Sequence, residues 1–322
     1  MRALITGGAG FIGSHLAEEL LKGKDEVVII DNLSTGSMEN IKHLRGNKGF
    51  KYYIGSVTDE KLTSKLVREC DVIYHLAAAV GVKYIIDNPL NSIKTNVEGA
   101  GMVLELANKF GKKKTLIAST SETYGKNMDR KRAFKETDDS VFGTSTIPRW
   151  SYACTKKLDE FLALAYFKEK KLPVVIVRLF NTCGPRQTGR YGMVVPRFIK
   201  QALSGRPITV YGDGTQTRCF TYVKDTVRAL IALMNCEKAV GEIFNLGNPE
   251  SISINNLAKR VKKLAKSESK IAHIPYEKAY EKGFEDMMHR HPDITKIKKS
   301  INFSPKTDID QIIIKTIEYF KG

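Results

Sequence analysis

Tyr152 and Lys156 stand four residues apart in SYACTKK, at the start of a helical stretch over residues 150–170, so both side chains fall on one helix face. An ammonium beside a phenol stabilises the phenolate, and such a pair can make tyrosine a general base near neutral pH. Tyr166 and Lys170 have the same spacing at the far end of the same stretch, so position must separate the two pairs. The first lies beyond the carboxyl end of the fifth predicted strand, where open α/β sheets bind ligands. The second precedes the next strand and reads as solvated surface. Ser119-Thr120-Ser121-Glu122 leaves the fifth strand at that same end. A Ser121 hydroxyl there can bridge substrate and tyrosine, and Glu122 is a second acid or base. The plainer readings are a strand-end hydrogen bond for Ser121 and a surface salt bridge for Glu122.

A second group of residues has the chemistry to hold a dinucleotide. Gly7, Gly10 and Gly13 in TGGAGFIG follow the first predicted strand and open the first helix. The first glycine permits a tight turn, the second lets backbone approach a pyrophosphate, and the third permits close helix packing, with the helix N-terminus facing the phosphates. Asp31 ends the second strand, eighteen residues after Gly13. A carboxylate there accepts from an adenosine ribose and repels a 2′-phosphate, which favours NAD over NADP. It also opens the turn DNLSTG, and both roles are compatible. Asp59 is expected to cap the helix that follows it.

These residues need a frame, and the apolar runs supply one. Strands are predicted over 2–6, 26–30, 51–54, 72–75, 114–118 and 174–179, with helices over 11–22, 59–68, 90–110 and 150–170 between them. Continuous runs such as Val27-Val28-Ile29-Ile30 suit a parallel sheet covered on both faces. The alternation reads as an α/β fold, a Rossmann-type doubly wound parallel sheet, over residues 1–180. Beyond it, 181–191 is rich in Gly, Pro, Arg and Thr and reads as irregular. Amphipathic helices over 194–204, 255–265 and 308–320 and short strands over 208–211, 220–223 and 243–246 form a smaller α/β substrate lobe, residues 181–322, of which about 221–247 returns to the large sheet.

Composition narrows the function classes. Of 322 residues, 42% are hydrophobic and 27% charged, an ordinary globular balance. No apolar run approaches the ~18 residues of a membrane span, and Met1 leads directly into the strand-like Ala3-Leu4-Ile5, so neither a membrane partner nor a signal peptide is expected. Five cysteines without a CxxC argue against a disulfide scaffold or zinc ribbon and for a reducing cytoplasm. His43, His75, His273, His289 and His291 show no ligand spacing with acids or cysteines, so no metal is expected. The net charge of +17 admits a nucleic-acid partner. Yet the lysine clusters at 112–114, 168–171 and 262–263 carry no interleaved aromatics for stacking bases, so none is expected.

TGGAGFIG, HLAA (residues 75–78), STSETYG, YACTK, RLFNTCGPRQ and YGDGTQTRCFTYVKD together resemble the extended short-chain dehydrogenase/reductase family that modifies nucleotide sugars, in family order from residue 2 to about 320. The resemblance implies tightly held NAD, bound by Gly7, Gly10, Phe11, Ile12, Gly13, Asp31, Asn32, Leu76, Ala77, Ala78 and Lys156. It implies oxidation of the sugar's 4-hydroxyl to a ketone that then undergoes epimerisation, dehydration or decarboxylation. Tyr152 is the base by that resemblance, Lys156 lowers its pKa and holds the nicotinamide ribose, and Ser121 orients the sugar. Asn181 would touch the sugar or its phosphates, Arg218 and Arg290 would clamp the pyrophosphate, Tyr211 would flank the uracil, and Arg186 and Arg190 would meet a substrate carboxylate. A homodimer through residues 90–110 and 150–170 is also implied. Ser56 stands where the family often has an acid that contacts adenine.

The chemistry of the 4-ketone orders the reactions. It makes a 5-carboxylate a β-keto acid, which readily loses carbon dioxide. Dehydratases of the family typically have Asp-Glu where this chain has Ser121-Glu122, and serine is a poor acid for a departing hydroxyl. The Ser-Glu pair, the approach Arg149-Trp150-x-Tyr152 and the late Arg290-His291-Pro292 resemble UDP-glucuronate decarboxylases, whereas GPRQTGRYG is as similar to UDP-sugar 4-epimerases. Decarboxylation of UDP-glucuronate is the expected reaction, with 4-epimerisation the alternative, dehydration third, and a non-catalytic basic binding protein last.

Overall fold

The computed structural model describes residues 1–129, 132–189, 193–279 and 287–322. Up to Leu179 it alternates as the apolar runs predict: β1 (Arg2–Thr6), α1 (Phe11–Lys22), β2 (Glu26–Asp31), β3 (Phe50–Ile54), α2 (Glu60–Glu69), β4 (Val72–His75), α3 (Val82–Asp87), α4 (Pro89–Lys109), β5 (Lys114–Thr120), α5 (Trp150–Lys170) and β6 (Val174–Leu179). The remainder runs β7 (Thr182–Cys183), α6 (Val194–Leu203), β8 (Ile208–Tyr211), β9 (Thr217–Cys219), β10 (Thr221–Tyr222), α7 (Val223–Met234), β11 (Glu242–Leu246), β12 (Ser251–Ser253), α8 (Ile254–Leu264), β13 (Ile271–Ile274), α9 (Tyr276–Ala279), β14 (His289–Arg290), α10 (Thr295–Ile301) and α11 (Ile309–Lys321).

Seven strands make one parallel sheet in the order β11-β6-β5-β4-β1-β2-β3. The chain direction across the sheet reverses beside β1, and the crevice this leaves at the carboxyl ends is where an open α/β sheet takes its ligand. Helices cover both faces, so Leu4, Ile5, Val27, Ile29, Ile73 and Ile176 are all fully buried, which is why the strands read as unbroken apolar runs. Asp59 caps α2 as its position suggested, accepting from Leu62 N at 3.0 Å.

The later region keeps the three expected helices, adds short elements beyond those expected (β7, β9, β12, β13, β14, α9 and α10), and replaces one expected strand. A strand over 220–223 shrinks to Thr221 and Tyr222, and Val223 opens the twelve-residue α7. The β-branched residues there suggest a strand, but Val223, Val227, Leu230, Leu233 and Met234 are buried at helical spacing and Asp225 sits in the first turn, where an acid suits a helix. From α7 the chain re-enters the sheet as β11, which pairs with β6 from Glu242 to Leu246. Outside the large sheet, β8 pairs with β13, and β9 lies between β12 and β14. One apolar cluster runs from Ile5 and Leu16 to Phe198, Leu257 and Ile313, so the two regions share a core.

A buried polar network joins the sheet to α5. Arg178 on β6 gives Nε and Nη2 to the two oxygens of Glu160 on α5, each at 2.8 Å, and Ser119 donates to the same carboxylate at 2.6 Å. The Arg178 guanidinium also lies 4.6 Å from the Tyr124 ring centroid, and Tyr124 Oη donates to Asn245 on β11 at 2.6 Å. These contacts fix the ends of β5, β6 and β11 against the helix that carries Tyr152.

Candidate active site

A cleft of about 450 Å³ opens at the carboxyl ends of β1, β2, β4, β5 and β6. Gly7, Gly10, Phe11, Ile12 and Gly13 line it where β1 turns into α1. Gly7 has φ +72°, and a Cβ there would lie 2.9 Å from Ala77 N, so only glycine fits between these turns. No side chain caps α1, because its N-cap is Gly10, and its first-turn N–H groups are left for an anionic ligand. Asp31 lines the same cleft. Its carboxylate accepts from Ala9 N at 2.9 Å and Leu33 N at 2.7 Å. Burial pushes its pKa up, against the pull of those N–H donors. The turn role is thus held by a carboxylate that also lines the cleft. Asn32 and the backbone of Leu76, Ala77 and Ala78 complete this end. An uncapped helix start, a glycine turn and a fixed carboxylate fit NAD.

Next to this end lies His75. Thr6 Oγ1 accepts from Ala77 N at 3.1 Å and shares a hydrogen bond with His75 Nδ1 at 2.8 Å. Burial, reinforced by Lys156, lowers the His75 pKa to about 3, which keeps the ring neutral. The ring is 1% exposed at this strand end.

At the far end of the cleft are Thr120, Ser121, Glu122 and Tyr152. Tyr152 and Lys156 share a face of α5, as their spacing predicts. Burial holds the Tyr152 phenol above the ordinary tyrosine range, and the charges of Glu122 and Asp159 push the same way. A hydrogen bond with Thr120 and the field of Arg290 oppose them. The expected lowering by Lys156 is not what this arrangement produces, because burial dominates and the Lys156 ammonium donates to Asp159 at 2.7 Å. Lys156 is 1% exposed and lies behind the cleft wall.

Glu122 is no surface ion. Burial alone would raise its pKa, but Arg149, Arg290 and Arg218 more than offset this and hold it below the usual carboxylate range. Arg290 Nη1 lies 3.2 Å from one Glu122 oxygen and Arg149 Nη2 3.7 Å from the other. Arg290 Nη2 also donates to Asn181 Oδ1 at 2.8 Å, while its Nε is buried with no hydrogen-bond partner among the described residues. Arg290, Asn181 and Arg218 all line the cleft.

Tyr211 lines the cleft too, with one ring face covered by Arg197, whose guanidinium carbon is 4.0 Å from the ring centroid. Arg186 is elsewhere: its guanidinium donates to Glu18 on α1 at 2.7 Å and reaches His43, so it ties the loop after β7 to the first helix instead of meeting substrate. The local sequence cannot reveal this, since Glu18 lies 168 residues away. Arg190 lies outside the described residues. Sequence reasoning missed Arg197, Gln216, Tyr276 and Asp159. Gln216 gives its amide to Tyr211 O and Tyr276 Oη, both at 3.0 Å, and its Oε1 is buried with no hydrogen-bond partner among the described residues. For Asp159 there was a signal: it continues the Tyr152–Lys156 stripe.

The family described as GDP-mannose 4,6 dehydratase matches residues 4–316. The chain belongs to this family. Within it, the chain is 47% identical over 321 residues to a UDP-N-acetyl-alpha-D-glucosaminuronate decarboxylase of Bacillus cytotoxicus, covering 99% of this chain and 98% of that protein. It is 38% identical to UDP-glucuronic acid decarboxylase 1 of Danio rerio, covering 99% of this chain and 72% of that one. Among solved structures, the UDP-glucuronic acid 4-epimerase of Bacillus cereus, in complex with UDP-glucuronic acid and NAD, superposes with a TM-score of 0.89 at 31% identity, covering 100% of this chain and 99% of the other. The family is of the extended short-chain dehydrogenase/reductase type and uses NAD, and this protein is one of its enzymes. No helix among the described residues is long and apolar enough to cross a membrane.

Proposed function

We propose that this enzyme decarboxylates a UDP-hexuronate at its 5-position, with UDP-glucuronate and its 2-acetamido counterpart as substrates. The observation that carries the reading is the ionised Glu122 between Arg149 and Arg290 at the Tyr152 end of the cleft. A carboxylate held ionised by two guanidinium groups is a poor acid for expelling a hydroxyl, which disfavours dehydration. It also absorbs the positive charge that would otherwise stabilise a substrate carboxylate, and loss of carbon dioxide removes that carboxylate's charge from a buried place. The two decarboxylase relatives agree with this reading.

NAD, when bound, supplies the hydride acceptor at the sugar's 4-carbon and the hydride returned at the end. Tyr152 Oη takes the proton of the 4-hydroxyl, and the Ser121 hydroxyl orients that oxygen. The 4-keto-5-carboxylate sugar breaks its C5–carboxyl bond and releases carbon dioxide. The electron pair left behind forms an enolate that takes a solvent proton at C5, and Tyr152 returns its own proton to the 4-oxygen when the ketone is reduced. Arg218 and Arg290 hold phosphate oxygens, Asn181 meets the sugar, and Tyr211 flanks the uracil. In this reading residues 1–180, closed by 221–247, hold the dinucleotide, and residues 181–322 hold the nucleotide sugar.

The likeness to a UDP-glucuronic acid 4-epimerase supports a second reading, 4-epimerisation with the carboxylate retained. Incubation with UDP-glucuronate, UDP-N-acetylglucosaminuronate and UDP-glucose, followed by mass spectrometry, separates the two. Loss of carbon dioxide from the uronates is expected. An unchanged mass with a new isomer would overturn decarboxylation in favour of epimerisation, and loss of water would overturn both. Denatured enzyme should release NAD and no NADP, since Asp31 would face a 2′-phosphate.

The reading extends to a homodimer in the cytoplasm. Its five cysteines are free thiols, which suits a reducing compartment. Helices α4 and α5 pack side by side and leave Leu90 and Ile93, and Leu158 and Phe161, exposed by 67, 40, 49 and 62%. Such an apolar surface suits burial against a second copy. Phe161→Asp is expected to sediment as a monomer where the unaltered chain sediments as a dimer; a monomeric unaltered chain would dispose of the idea.

A further inference from the structure

Asp159 is a buried carboxylate with an incomplete set of partners. Its Oδ2 accepts from Lys156 Nζ at 2.7 Å, and both side chains are at most 2% exposed. Its Oδ1 is shut off from solvent with no hydrogen-bond partner among the described residues. Glu160, next in the chain, is different, because Arg178 takes both its oxygens and Ser119 adds a third bond. A carboxylate buried with one partner carries a large desolvation cost, and an apolar side chain of similar size would stabilise a purely structural position better. At 3.6 residues per turn, positions 152, 156 and 159 fall within about 60° of arc, so the carboxylate continues the stripe that holds the catalytic pair.

We infer that Asp159 is a positioning residue for that pair: it fixes the Lys156 ammonium as its counter-ion and, by neutralising it, tempers how readily Tyr152 gives up its proton. The inference deepens the assignment of Tyr152 as the base and rests on it. The charges around the pair leave room for this role. Tyr152 is faced by Glu122 from the end of β5, by Arg290 from β14 and by Asp159 from its own helix. Glu122 is already matched by Arg149 and Arg290. Lys156 is faced by Asp159 and by His75 from β4, whose ring is neutral. Asp159 is faced by Lys156 and Glu160, and Arg178 pairs with Glu160. From its own helix the phenol therefore faces the Asp159 anion, whose hydrogen-bonded partner is the Lys156 ammonium. The direction agrees, since Asp159 contributes to the raised pKa of Tyr152.

Asp159→Asn keeps an oxygen that accepts from the ammonium and removes only the charge. The NAD-loaded protein, with tyrosine isotopically labelled at Cζ, gives the readout, and the Tyr152 resonance is identified by its loss in Tyr152→Phe. The titration midpoint of Tyr152 is expected to fall by about one pH unit in the Asn variant, and the acid limb of kcat/KM to move the same way. A midpoint that stays or rises overturns the inference. Asp159→Ser also removes the charge without overfilling the site, and it decides the matter by the same criterion if the Asn variant does not fold. Because the titration needs no substrate, it is independent of the sugar's fate: failure of the decarboxylation reading would leave the shift in place. Failure of the Asp159 reading would leave carbon dioxide release in place with an unmoved acid limb.

Discussion

Tyr152→Phe is expected to lower turnover about 10²–10⁴-fold, the range that a positioned general base supplies, while UDP binding changes little. The hydroxyl is the only group removed, and the ring remains packed at the start of α5. The groups assigned to the pyrophosphate and uracil, Arg218, Arg290 and Tyr211, sit on β9, β14 and β8 and do not depend on that hydroxyl. Single-turnover kinetics and calorimetric titration with UDP separate the two effects. Near-normal turnover in the Phe variant would mean that another group, Glu122 first, takes the proton, and a loss of UDP affinity as large as the loss of rate would mean that the hydroxyl supports the cleft's shape. The phenol's burial makes the prediction sharper. Burial, and then the charges of Glu122 and Asp159, hold its pKa above the ordinary tyrosine range, so its proton leaves at a higher pH than that of an exposed phenol. Activity should therefore rise with pH until the base is ionised.

Arg178→Met should cost about 3–5 kcal/mol of stability, the usual penalty for removing one partner of a buried ion pair. Arg178 is 1% exposed and takes both oxygens of Glu160 at 2.8 Å. Without it, Glu160 stays buried with the Ser119 hydroxyl and with Lys157, 3.5 Å away. The damage is mainly uncompensated charge, so adding Glu160→Leu to the Met variant should recover part of the loss. Chemical denaturation of the single and double variants measures both quantities. A single variant within about 1 kcal/mol of the unaltered protein would place the pair among weak surface bridges. The same network includes Ser119, immediately before Thr120 and Ser121, so the Met variant should also lower activity through a looser β5 end.

Much of the site was legible because its parts are local. The glycines of TGGAGFIG, Asp31 at a strand end and the Tyr152–Lys156 spacing each fall within one element or one connection, and the structure brings the glycines, Asp31 and Tyr152 to the same cleft. Ser121, Glu122, Asn181, Tyr211, Arg218 and Arg290 face it as well. The arginines were the hard case, since a guanidinium on a flexible stem reads the same whether it faces a ligand or a carboxylate. Arg186 went to Glu18 and Arg290 to Glu122 and Asn181, across 168, 168 and 109 residues respectively. Arg197 lies within the helix expected over 194–204, where no local pattern marks it for a site, yet it covers the ring of Tyr211.

By itself the sequence determined the doubly wound sheet, the glycine turn at its first strand and the placing of tyrosine and lysine on one helix face. Strand and helix periodicity, backbone freedom at glycine and i,i+4 geometry are short-range properties that few residues suffice to specify. Only the tertiary structure decided the electrostatic state of the chemistry. It made Glu122 an ionised, arginine-bound carboxylate, buried the Tyr152 phenol, and gave the Lys156 ammonium to Asp159. Those outcomes depend on desolvation and on charges brought together from distant segments, which no local pattern encodes.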